Sequence, residues 1–258
     1  MSALDLSPAP GAAGLGRMVR AQAVVETRLL LRNGEQLVLA VVLPLLVLVV
    51  GDTAGPLLDL GPGRRIDVLA PGVLALAVLS TSFTSLAITT GFERRYGVLK
   101  RLGATPLPRH GLLAGKTVAV LAVEVVQVLL IGSVALALGW RPTGGPVAAL
   151  GGLVLVLLGT AAFAALGLAL AGSLRAEATL ALANLVYVLL LVGGAVVVPL
   201  ARHPDALRPL VELLPSGALA EGLREVSAGN GLPLAGCAVL LAWAAAGAAV
   251  AARTFRWE

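Results

Sequence analysis

Hydrophobic positions in this chain run together instead of alternating with polar ones. Six stretches read as nearly unbroken apolar helices, at residues 36–52, 68–92, 117–140, 147–173, 178–199 and 232–252. A hydrocarbon core of about 30 Å takes about 20 such residues in helical form, so each stretch is predicted to cross a membrane. The first is short and contains Pro44, whose missing amide frees a carbonyl that a neighbour has to satisfy. The second carries Pro71 in its first turn, where an absent N–H costs little. Between the last two lies ARHPDALRPLVELLPSGALAEGLREVSAGNG, half apolar and interrupted by Pro204, Pro209 and Pro215. Too broken to span, it is predicted to form a partly re-entrant or interfacial hairpin.

The N-terminal pattern is different. Residues 1–14 are rich in Ala, Pro, Gly and Ser and are expected to be disordered, because no apolar segment of signal-peptide type follows the first arginines. Arg17 to Asn33 places Met18, Val25 and Leu29 on one helical side and Arg17, Arg20 and Arg28 near the other, with Val24 and Leu31 as exceptions. This predicts an interfacial helix leading into the first span; the alternative is a plain extension of that span. The fold class expected is therefore an all-α integral membrane protein, with one transmembrane domain over residues 15–258.

Composition removes the soluble alternatives. The chain is 58% hydrophobic and 13% charged, and its mean hydropathy is +0.96. Its Lys and Arg residues are unevenly spread: with the N-terminus inside, 13 fall on that side and 6 on the other. Both termini are accordingly expected in the cytoplasm. The same bias accounts for the net charge of +5 without a nucleic-acid partner.

Catalytic chemistry is sparse. The segment GLLAGKT (111–117) approaches a phosphate-binding loop, but Gly111 and Gly115 are one residue too close and Thr105 to Pro108 precede it where a strand is required. Cys237 stands alone, and His110 and His203 fall on opposite predicted sides of the membrane, so no thiolate cluster or histidine pair is available. Serines and threonines gather in the second span, from Ser80 to Thr90, and are read as packing residues. Glu124 and Gln127, three residues apart in the third span, share a face. An acid in hydrocarbon costs on the order of 3 kcal/mol, so Glu124 should face protein or water, either on a translocation path or in an inter-helix or inter-subunit hydrogen bond. Asn184 and Tyr187 in the fifth span pose the same choice.

After the second span comes ERRYGVLKRLGATPL, beginning at Glu93. It resembles the signature of ABC-2 type permeases, the membrane subunits of ABC exporters of the drug-resistance kind, through Glu93, Arg94, Gly97, Leu99, Leu102, Thr105, Pro106 and Leu107. Val98 stands where the family usually has threonine, and Tyr96 is not typical. Similarity extends over most of residues 17–258, including the family's L-P-x-x-x-x-x-E-x-x-R pattern at Leu214, Pro215, Glu221 and Arg224. The resemblance implies a coupling helix between the second and third spans that docks on a separately encoded ATPase. It also implies two ATPase copies, a second permease copy as homodimer or heterodimer, and a bacterial cytoplasmic membrane. ATP and magnesium would sit on the ATPase, with no cofactor on this chain and no catalysis by it.

Aromatic residues make up only 3% of the chain, which favours a hydrophobic or amphipathic substrate such as a drug or lipid over a sugar polymer. Two alternatives stay open: a secondary transporter or channel using Glu124, and a non-transporting membrane protein in which Ala244, Ala248 and Ala252 form only a packing face.

Overall fold

The computed structural model describes residues 11–32, 34–53, 60 and 63–254. The expected disorder at residues 1–10, the position of Arg256 and most of the loop after the first span lie outside them. Residues 11–14 are exposed and non-helical.

Among the described residues the structure is helical and contains no strand. In chain order the helices are α1 (Leu15–Arg32), α2 (Gly34–Thr53), α3 (Arg65–Arg95), α4 (Val98–Gly103) and α5 (Arg109–Ala137). They continue with α6 (Gly145–Ser173), α7 (Ala176–Gly193), α8 (Arg208–Glu212), α9 (Pro215–Ser227) and α10 (Leu234–Thr254). Five of them, α3, α5, α6, α7 and α10, are long and apolar enough to cross a membrane, and α2 adds a shorter apolar stretch, Ala40–Thr53.

Boundaries differ from expectation where backbone chemistry intervenes. Pro108 is extended and caps the next helix, so α5 starts at Arg109 and not at Thr117. The third helix starts at Arg65 and holds Pro71 in its interior, not in its first turn as expected. The fifth apolar run was expected to stay helical to Pro199, yet α7 ends at Gly193 and Ala195 takes a positive φ of 56°. The carbonyls of Ala195 and Val196 are used instead by the guanidinium of Arg224.

The hub is α3. Of its apolar window 83% is buried, against 17% for α7 and 22% for α10, so the other helices are arranged around it. Around it pack α2, α5, α6, α7 and α9, while α10 lies along α6 and α1 lies along α5. At the centre of α3 the backbone widens into a π-helical turn over Leu79–Ser85, where the serines and threonines cluster. Ser82 Oγ donates back to the Val78 carbonyl at 2.5 Å, satisfying a group inside the chain. Gly167 of α6 lies against this turn so closely that a Cβ there would stand 2.9 Å from the Phe83 oxygen. Small residues bring the two backbones together, as expected of helix contacts in lipid.

Two apolar faces lie on the outer surface of the described structure. On α1, Val25 and Leu29 face outward with 52% and 59% exposure, and the face turned to α5 is built from Ala23 and Glu26. On α10 the inward side is Cys237, Leu240, Gly247 and Ala251, and Ala248 and Ala252 are exposed.

Candidate functional site

Gly97 opens the turn between α3 and α4 with φ +70°, a left-handed conformation that a side chain would strain. The short α4 then runs to Gly103, and Thr105 closes it by donating from Oγ1 to the Leu102 carbonyl at 2.6 Å. Pro106 and Pro108 prevent the helix from continuing into α5. The turn is anchored from inside by Leu99, which is fully buried in a small cluster with Leu107 and Leu112, packed by Met18, Leu102 and Leu113. The outer surface consists of Tyr96, Val98, Lys100, Arg101, Ala104, Thr105 and Pro106, all exposed.

Three ties connect this turn to the helices. Glu93 Oε2 accepts from Lys116 Nζ of α5 at 2.6 Å, and the same ammonium donates to Glu26 Oε1 of α1 at 2.9 Å. Gln22 Nε2 donates to that Glu26 oxygen as well, at 2.7 Å. Arg94 donates to the Gly172 carbonyl at 2.8 Å and to the Leu174 carbonyl, capping the end of α6. Arg95 pairs with Glu177 at the start of α7, an exposed contact of small energetic weight.

Lying just before the third apolar run, which begins at Thr117, Lys116 is predicted to sit at the lipid headgroups. That expectation is corrected: its side chain is 2% exposed, because two carboxylates compensate its charge inside the protein. Burial also disposes of the phosphate-loop resemblance. Gly111 and Gly115 lie within α5, where amides serve helical hydrogen bonds, and the lysine is already paired. Beside the triad a cavity of about 250 Å³ extends along α3, with Thr81, Ser85 and Thr89 on one wall and Leu29 and Leu30 on the other.

Further along α5, Gln127 is fully buried. It accepts from Thr81 Oγ1 at 3.0 Å and donates from Nε2 to the Ala40 carbonyl at 2.8 Å. Ala40 precedes Pro44 by four residues, so its carbonyl is the one that the proline leaves without a helical donor. Glu124 faces α6, with Oε2 2.5 Å from Thr160 Oγ1 and Oε1 buried without a hydrogen-bond partner. Thr160 also donates to the Val156 carbonyl at 2.8 Å. One hydroxyl proton cannot serve both acceptors, and the acid form of Glu124 satisfies both contacts by donating to Thr160. Asn184 is exposed on α7, while the Tyr187 hydroxyl is buried and has no hydrogen-bond partner among the described residues. Gln127 thus turns to α2 and α3 and Glu124 to α6, while Asn184 and Tyr187 belong to α7.

At the opposite end of α3, Arg224 of α9 collects distant backbone. Its guanidinium donates to Val68 at 3.2 Å, Ala195 at 2.6 Å and Val196 at 2.7 Å, and pairs with Glu221 at 2.6 Å. Glu221 Oε1 in turn accepts from the Leu200 amide at 2.9 Å. Burial pulls the guanidinium below its ordinary pKa and Glu221 pulls it back, so the charge is retained. Pro215 provides the first helical residue of α9. Gly72 is required here, because a Cβ would stand 2.1 Å from the Val196 oxygen.

Sequence reasoning singled out Glu93, Arg94, Glu221 and Arg224 but missed Glu26, Thr160 and the inward role of Lys116. The available signal was that Glu26 is the one acid on α1 and Lys116 the base immediately before the third apolar run. Which acid meets which base depends on packing between segments far apart in sequence.

Comparison with known proteins supplies a frame for this geometry. A family model described as ABC-2 type transporter matches residues 19–227, from α1 through α9. YvfS of Bacillus subtilis (strain 168), provisionally named a transport permease, is 25% identical over 175 residues, covering 65% of this chain and 68% of that protein.

Proposed function

The chain belongs to the ABC-2 type transporter family, and from that premise we propose that it is the permease of a drug-resistance-type ABC exporter in a bacterial cytoplasmic membrane. It crosses the membrane six times, with α2 as the first span, both termini on the cytoplasmic side and α1 at the interface. α8 and α9 form the re-entrant hairpin. Two permease copies enclose the path, and two separately encoded ATPase subunits carry ATP and magnesium. The cargo is hydrophobic or amphipathic, a drug or lipid, consistent with walls of Leu, Val and Ala.

One observation carries the reading: the turn from Glu93 to Pro108 has an exposed outer surface and an inner side tied to four helices. The docking surface is Tyr96, Val98, Lys100, Arg101 and the Ala104–Pro106 bend. Glu93, Arg94 and Leu99 face the permease, so their part is to hold the turn rigid. A push from a closing ATPase dimer then passes through Glu93 to α1 and α5, and through Arg94 to α6. The hinge-free path matters because packed cores respond by switching between arrangements and not by gradual bending.

Proteoliposomes test the assignment. Vesicles holding the chain and its ATPase should move a hydrophobic dye only when ATP and magnesium are supplied. Dye movement driven by a proton gradient with no ATPase present would replace this reading with secondary transport through Glu124.

A further inference from the structure

Every charged residue on the exposed surface of α1 is an arginine. Arg17, Arg20, Arg28 and Arg32 are exposed, and among the described residues none of them joins an ion pair. The helix's one acid, Glu26, is turned away from that surface toward Lys116. Along the flank shared with α5, Leu15, Val19, Ala23, Val24 and Val118 line an open apolar groove of about 730 Å³, with Arg20 and Arg28 also at its wall. Arg20, Val24 and Arg28 follow one another at four-residue steps, so the two arginines leave the backbone about 12 Å apart on one stripe, within reach of a common anion for two side chains of this length.

We propose that this groove holds an anionic phospholipid, its acyl chain against Val19, Val24 and Val118 and its phosphate between Arg20 and Arg28. A free inorganic anion would have no use for the apolar wall, and a neutral lipid none for the unanswered arginines. Exposed Val25, Leu29 and Leu31 beside those arginines place α1 at the depth where headgroup and chain meet. The inference rests on the chain lying in a membrane and is independent of the ATPase partnership.

Native mass spectrometry of the full chain, titrated with phosphatidylglycerol or phosphatidylcholine, reads the site directly. One phosphatidylglycerol should be retained selectively, and its affinity should fall about fivefold for each arginine removed in Arg20→Gln/Arg28→Gln. Arg17→Gln/Arg32→Gln should leave it unchanged, and Val118→Trp, which fills the groove, should weaken it with all arginines present. Equal losses from the two arginine pairs would reduce the site to a diffuse basic surface and overturn the proposal. Equal retention of phosphatidylcholine would overturn it too. So would a permease dimer, with no lipid bound, that dissociates on changing Arg20 and Arg28, since the groove would then belong to a second copy.

Discussion

At the scale of single residues, Lys116 carries the greatest consequence, because three elements meet at one ammonium. Replacing it by methionine leaves Glu26 and Glu93 facing each other without a counter-charge. Lys116→Met should cost on the order of 3 kcal/mol, read as a lowered thermal midpoint in detergent. The combined Glu26→Gln/Glu93→Gln/Lys116→Met variant should regain most of that loss, since no uncompensated charge remains. A triple variant no better than the single one would mean that the lysine's packing, not its charge balance, sets the cost. Glu124 gives a second case. Because Thr160 already donates to Val156, Glu124→Gln keeps a donor for Thr160 and should be nearly neutral. Glu124→Ala should cost about 1–3 kcal/mol in the same measurement. Sequence stated that a lone acid in an apolar helix must find a partner; it could not name Thr160, which belongs to another helix and looks like any small packing residue.

At the scale of elements, backbone exceptions decide where helices stop and how they join. Pro44 illustrates how far local rules reach. The proline guarantees a freed carbonyl, and that much was legible; that Gln127 fills it required knowing that α2 and α5 are neighbours. Gln127→Leu should therefore destabilise α2 packing by about 1–3 kcal/mol. In the Pro44→Ala background, where residue 44 regains its own N–H, the same change should cost distinctly less, so a thermal double-mutant cycle shows coupling between the two positions. Additive costs would mean that the glutamine serves Thr81 alone. The extended fifth run failed as a prediction for a related reason. Residues 194–199 are apolar enough for a helix, but Arg224 takes the carbonyls of Ala195 and Val196, and composition carries no trace of that competition. Gly97, by contrast, was readable as a motif position, and the structure supplies its physical cause in the left-handed turn.

At the scale of the whole molecule, hydrophobic patterning conveyed the all-helical character with helices apolar enough to cross a membrane, and the Lys and Arg bias is the ground for the proposed orientation. What patterning could not convey is which side of the α3–α5 turn faces out. Leu99 and Glu93 are turned inward, while Tyr96, Lys100 and Arg101 are exposed, which is why the proposed docking uses the second set and its transmission the first. The central claim, that this turn receives the motion of an ATPase, is tested most directly by co-purification. An ABC ATPase encoded beside the chain should co-purify with it. Tyr96→Ala/Lys100→Ala/Arg101→Ala should abolish that association without moving the permease's own thermal midpoint. Full retention of the ATPase by this triple variant, or ATP hydrolysis by the isolated chain that Lys116→Met removes, would contradict the account.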